Sequence, residues 1–157
     1  MLVGGNDVSD GARLANSTWR AHFETELAGK YDKSRVVMPG QVPYQTYVKL
    51  LQRSDAHVYL TYPFVVSWSL REAMAAGCAI VPGDVEPVRE LVTHGQTGVL
   101  VPPLDPQALA AAVLDVLQDV KKARKLRANA RRWAEKHLDM KLHIGAFEAR
   151  IAALTTR

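Results

Sequence analysis

The stretch Ser67-Trp68-Ser69-Leu70-Arg71-Glu72-Ala73-Met74-Ala75-Ala76-Gly77 reads as one helix held between two strands. The apolar run His57 to Leu60 precedes it and a second run, Ala79 to Val81, follows. Serine is a preferred residue for opening a helix and glycine for closing one. Tyr62-Pro63-Phe64 supplies a tight loop after the first strand. Strand, loop, helix and strand make a βαβ unit. In open parallel sheets, ligands sit beyond the carboxyl ends of the strands, where such helices begin. A helix N-terminus there presents unpaired backbone N–H groups and the positive end of a dipole, which suit a phosphate or diphosphate. Glu72 stands one turn into the helix, within reach of a ligand hydroxyl. The unit reads as a nucleotide-type site.

Outward from this unit the pattern alternates. Met1 to Gly4 is expected to be a truncated strand entering a Gly4-Gly5 turn, and Thr18 to Ala28 has helical spacing with Trp19, Phe23 and Leu27 on one face. Arg35 to Met38 is expected as a strand, with Pro39-Gly40-Gln41-Val42-Pro43 as the loop at its end. Tyr44 to Arg53 is helical, Glu86 to Val92 is a short helical segment, His94 to Gly98 turns, and Val99 to Val101 is a last strand. Asp105-Pro106 starts a helix as an N-cap followed by proline. Three helices then form a tail over 105–155, divided near Lys121 and Asp139. Strands alternating with helices imply an α/β fold with a doubly wound parallel sheet, Rossmann-like, and residues 1–157 are expected to form one domain.

The bulk numbers set limits. A chain of 157 residues with 48% apolar and 23% charged residues can bury a core. No apolar run approaches the ~20 residues a membrane helix needs, and no secretory pattern is visible. The single cysteine, Cys78, cannot form an internal disulfide, and a reduced, cytoplasmic setting fits. Net charge is +4, and much of the basic excess falls at Lys121, Lys122, Arg124, Lys125, Arg127, Arg131 and Arg132. A solvated helix face is preferred here over a nucleic-acid patch, since no aromatic residues interleave with the charges. Contact of the basic helix 121–132 with anionic lipid at the inner membrane face is the other reading.

Arg71 to Val81 closely resembles the LEAMAxGxPVV segment of family-4 (group 1) retaining glycosyltransferases. Further segments match in order: Met38 to Pro43 resembles FLGxVP, Leu50 to Tyr59 LYxxADVFV, Asp84 to Glu90 DVGGIPE, His94 to Pro103 DGxTGLLVPP, and Asp105 to Leu109 DPEAL. The resemblance implies the C-terminal, nucleotide-sugar-binding half of a GT-B enzyme. The acceptor-binding N-terminal domain is expected outside this sequence, as is the opening segment that supplies an Arg and a Lys to the donor diphosphate. The implied activity is retaining transfer from a nucleoside-diphosphate sugar, with no metal and no other cofactor; the five scattered histidines and absence of metal-ligand spacing agree. A sugar-nucleotide epimerase or a non-catalytic nucleotide-binding or interaction module are the alternatives.

The resemblance also assigns residues. Glu72 aligns with the second glutamate of the family's E-x7-E motif, which binds the donor ribose; the competing role is a capping box with Ser69. The first glutamate of that motif falls at Phe64, a departure that favours the non-catalytic reading or a different recognition of the sugar. Val65, Val66, Ser67 and Trp68 replace the family's Gly-Phe-Gly-Leu, whose backbone N–H groups meet the phosphates. Ser67 either caps the helix or donates its hydroxyl, and Trp68 is expected to be a core or domain-facing anchor rather than a base-stacking platform. Gln41 and Val42 occupy the loop that receives the base, and Gly5 joins the substrate-binding candidates. Glu90 matches the PE glutamate, with Arg89 in place of the proline. The chain alone is expected to bind donor weakly, transfer no sugar, and self-associate through an uncovered apolar face bearing Trp68 or Phe64.

Overall fold

The computed structural model describes residues 1–6, 8, 12–62 and 65–155. In chain order the elements are α1 (Trp19–Glu26), a 3-10 turn (Lys33–Arg35), α2 (Tyr44–Arg53), β1 (His57–Tyr59), α3 (Trp68–Ala76) and β2 (Ile80–Pro82). After them come α4 (Glu86–Arg89), α5 (Pro106–Gln118), α6 (Val120–His137) and α7 (Met140–Thr155). The chain divides into two compact units, Met1–Tyr47 and Val48–Arg157.

In the first unit, the opening segment pairs in parallel with the loop before α2. The Leu2 N–H donates to the Val37 carbonyl at 2.9 Å and the Gly4 N–H to the Gly40 carbonyl at 3.0 Å. The Thr18 hydroxyl caps α1 by accepting from the Ala21 N–H, and Arg20 ties that helix to Asn6 and to the Met38 carbonyl. An apolar cavity of about 670 Å³, lined by Leu2, Gly5, Trp19, Phe23 and Met38 among others, lies inside this unit. The strand expected at Arg35–Met38 is replaced by the 3-10 turn and one isolated bridge, Val3 to Gly40. The cause is local. The Asp32 carboxylate accepts from both the Ser34 N–H and the Ser34 hydroxyl, at 2.9 and 2.7 Å, and such side-chain bonds compete with a ladder.

The second unit carries the parallel sheet. β1 and β2 run parallel with His57 opposite Ile80 and Tyr59 opposite Pro82. Residues 99–101 extend it: the Val99 N–H donates to the Ile80 carbonyl and the Val101 N–H to the Pro82 carbonyl, at 2.9 and 3.0 Å. Parallel strands need crossovers, which α3 and α4 provide here. On one sheet face Ala79, Val81, Val99 and Val101 pack with Val116 of α5 and Leu126 of α6. Leu70, Met74, Ile80, Val88 and Leu126 are fully buried, each contributing about 1.5–3 kcal/mol by leaving water. The fold is α/β with a parallel sheet and a helical tail, as the alternation implied. Asp105 caps α5 through the Ala108 N–H with Pro106 in its first turn, and Asp119 caps α6 through the Lys122 N–H. Gly77, at φ 74°, ends α3 in the left-handed conformation that glycine adopts without steric cost.

Candidate functional site

The site is built where β1 ends and α3 begins. Tyr59, the last residue of β1, is buried, and its hydroxyl accepts from the Ser67 N–H at 3.2 Å. Val66, only 5% exposed, plugs the loop into the core, and its carbonyl accepts from Arg71 Nη1 at 2.6 Å. Two bonds and one buried side chain thus fix the chain just ahead of the helix. Ser67 is the backbone N-cap of α3, as read from the sequence, but its side chain caps nothing. Its hydroxyl pairs with that of Ser69 at 2.5 Å. The N–H groups of Trp68, Ser69 and Leu70 therefore stand at the helix start with neither an intrahelical partner nor a side-chain cap.

Glu72 is half-buried, one turn in, between the buried residues Leu70 and Ala73. Its carboxylate makes no hydrogen bond or ion pair among the described residues. The capping box with Ser69 is not formed, because the N-cap is Ser67 and Ser69 lies inside the helix, bonded to the Ser67 hydroxyl. Trp68 is 73% exposed and is no core residue; the Arg71 guanidinium lies 5.7 Å from its ring centre. A cation over an indole face is attracted by the ring quadrupole, so Arg71 holds the loop through Val66 and the indole through its charge. Val65 is exposed, as are Leu60, Tyr62 and Leu104 in the loops after β1 and after residues 99–101. Phe64 lies outside the described residues.

Other candidates fall elsewhere. Gln41 is exposed and Val42 half-buried, after Gly40, whose φ of 78° turns the chain. Gly5 borders the apolar cavity of the first unit. Glu90 is the exposed C-cap of α4, while Arg89 grips Asp84 through two bonds of 2.6 and 3.1 Å. That hydrogen-bonded guanidinium holds the Asp84 carboxyl below its usual range. Among the described residues no three His, Cys, Asp or Glu side chains are grouped to hold a metal ion, and no helix is long and apolar enough to cross a membrane.

Tyr59 and Arg71 were not legible as site residues. Arg71 carried a signal, since it stands where the resembling segment has leucine. Tyr59 carried none, because its role depends on which residue ends the strand.

Residues 16–133 match the family model for glycosyl transferases group 1. A glycogen synthase of Mycobacterium tuberculosis is 38% identical over 93 residues, which cover 59% of this chain and 22% of that enzyme. The sucrose-phosphate synthase of Thermosynechococcus elongatus superposes with a TM-score of 0.80 at 26% identity, over 97% of this chain and 38% of its own. The HepE protein of Anabaena, solved in complex with UDP-glucose, shares the fold at a TM-score of 0.76 and 21% identity, over 85% of this chain and 36% of its own. The chain thus spans well under half the length of each of these proteins. With about three quarters of its residues inside the matched region, the chain belongs to the group 1 glycosyl transferases.

Proposed function

We propose that the chain is the donor-binding part of a family-4 glycosyltransferase that transfers a hexose from a nucleoside-diphosphate sugar with retention of configuration. One observation carries the reading: a half-buried carboxylate with no internal partner, Glu72, lies one turn from an uncapped helix N-terminus. The two features match the two halves of a nucleoside diphosphate. The N–H groups of Trp68, Ser69 and Leu70 meet the diphosphate, and the Glu72 carboxylate accepts from the ribose hydroxyls. As the sugar departs, negative charge grows on the diphosphate, and fixed N–H donors stabilise that charge more than they stabilise the bound donor. Glu72 orients; it is neither acid nor base. Gly5, Gln41 and Val42 are assigned donor contacts on the resemblance. No metal and no cofactor besides the substrate is invoked, and the setting is cytoplasmic. UDP-glucose is the first donor to test, because it is the ligand of the Anabaena relative by fold.

The chain alone binds donor weakly and transfers nothing in this reading. A glycosyl transfer site needs an acceptor and the exclusion of water, and a solvated diphosphate loses much of its attraction to N–H groups. The exposed Leu60, Tyr62, Val65 and Trp68 make self-association of the isolated chain part of the same proposal. Phe64 in place of the first motif glutamate supports the second reading, a nucleotide-binding module without transfer.

Titration calorimetry with UDP, UDP-glucose and inorganic diphosphate tests the assignment. A hydrogen-bonded charged group contributes about 1.5–3 kcal/mol, so Glu72→Ala is expected to weaken UDP about 10- to 150-fold and leave diphosphate unchanged. Equal UDP affinity in both proteins removes the ribose role. Transfer by the chain alone refutes the half-site, and a whole protein that binds UDP-glucose without turnover supports the module.

A further inference from the structure

Helix α6 concentrates the positive charge of the molecule. It holds eight of the 20 lysines and arginines and one of the 16 acidic residues, so the rest of the chain has 12 cations against 15 acids. At 100° per residue, Leu126, Ala130 and Ala134 fall together on one side of the helix, and all three are buried. Lys121, Lys125, Arg132 and Lys136 fall within an arc of about 60° on the opposite side, and Arg124 stands about 60° beyond it. All five are exposed.

The remaining cations of α6 are neutralised. Lys122 pairs with Asp115 and Arg131 with Glu135, while Arg127 faces Asp55 and bonds to the Ser54 and Asp55 carbonyls. On the outer arc, Lys121, Lys125 and Lys136 have no partner among the described residues, nor has Arg124 beside it, and Arg132 bonds only to the neutral Asn129 side chain at 2.6 Å. Lys122 and Arg127 are thus satisfied by neighbouring segments and Arg131 by the exposed Glu135 of its own helix, while the cations of the outer arc have no acidic partner among the described residues. From Lys121 to Lys136 the unpaired charges extend about 22 Å along a straight axis.

We propose that this face docks on an anionic lipid surface, with the helix lying flat and its cations meeting headgroup phosphates. The contact is electrostatic and does not insert, because the residue between the cations is Ala128 and the apolar side of the helix is already buried against the core. Lipid is favoured over nucleic acid because the outer arc has no aromatic platform for bases. Trp133 is half-buried and stacks on His137 at 4.6 Å instead. A straight row of charge also suits a plane. A Lys or Arg near an anionic surface strengthens partitioning by about fivefold.

The test is sedimentation of the chain with phosphatidylcholine vesicles, with and without about one third phosphatidylglycerol. Binding is expected only to the anionic vesicles and is expected to vanish near 1 M salt, where the screening length falls to about 3 Å. Lys121→Ala with Lys125→Ala should weaken it about 25-fold. Lys33→Ala with Lys49→Ala removes the same charge elsewhere and should change it less than fivefold. Circular dichroism confirms that both double variants retain the fold. Equal loss in the two double variants overturns the proposal, because net charge alone then explains the binding. Equal binding to neutral vesicles overturns it as well. Tighter binding to a short DNA duplex than to anionic vesicles at the same salt assigns the face to nucleic acid instead.

Discussion

Gly98 is the position where a single methyl group should do the most damage for its size. A Cβ built there would lie 2.7 Å from Val92 Cγ1 and 3.0 Å from the Ile80 backbone oxygen. Neither neighbour has room to yield. Val92 is 1% exposed, and Ile80 is fully buried in β2. The Ile80 carbonyl also accepts the 2.9 Å bond from the Val99 N–H, which begins the attachment of residues 99–101 to the sheet. Gly98→Ala must therefore either shift Val92 within a filled core or push the third strand segment from its acceptor. Overpacking of a filled core costs about 1–3 kcal/mol, and a weakened hydrogen bond adds to the cost. For a domain of this size each kcal/mol corresponds to about 2–4 °C, so the overpacking alone is expected to lower the midpoint by about 2–12 °C. Urea unfolding followed by circular dichroism should show a lower midpoint with an unchanged slope, the sign of a stability change alone. Gly145→Ala, on an open helical position with nothing within 4 Å, is the control and should not lower the midpoint. A Gly98→Ala protein as stable as the parent would refute the packing described here.

Two further outcomes follow from buried titratable groups. Burial lowers the His57 pKa below its ordinary 6.5, so the unfolded chain binds this proton more readily than the folded one. Stability should therefore fall as pH drops from 6.5 toward the folded value and level off below it; a His57→Gln variant with the same urea midpoint profile from pH 7 to 5 would contradict this. Burial pushes the Cys78 thiol up to about 11, and its Sγ donates to the Leu51 carbonyl at 3.2 Å. The thiol should react with a disulfide reagent at pH 8 only at the rate of unfolding, and immediate reaction in native buffer would show that the site is open.

The helices were legible in the sequence because their signals are local. Tyr44 to Arg53 was expected and found with the same bounds, and Asp105, Pro106, Ser67 and Gly77 mark ends that the backbone respects. Strands answered less well, since a strand exists only where a second segment pairs with it. The run His57 to Leu60 shortened to His57–Tyr59, and Arg35 to Met38 gave way to a turn set by Asp32 and Ser34. The same division runs through the candidate site. The helix start and Glu72 follow from neighbours in sequence. The exposure of Trp68, and the bonds that Tyr59 and Arg71 make to the loop, depend on how the strand enters the core.

This division has a consequence for the loop after β1. Its backbone near α3 is held by Tyr59 beneath and by Arg71 from within the helix, at Ser67 and Val66. Neither bond uses an N–H of Trp68, Ser69 or Leu70, so the fastening is independent of the donors left free. A helix start that spent its own N–H groups on a capping side chain would be more stable and less able to bind an anion, since an N-cap is worth about 1 kcal/mol. Here the Ser67 hydroxyl turns to Ser69 instead, and rigidity comes from side chains that touch the opposite edge of the loop. Order without occupation of the donors is what a site for developing negative charge requires. Glu72, half-buried and unpaired in the next turn, extends the same economy from backbone donors to a side-chain acceptor.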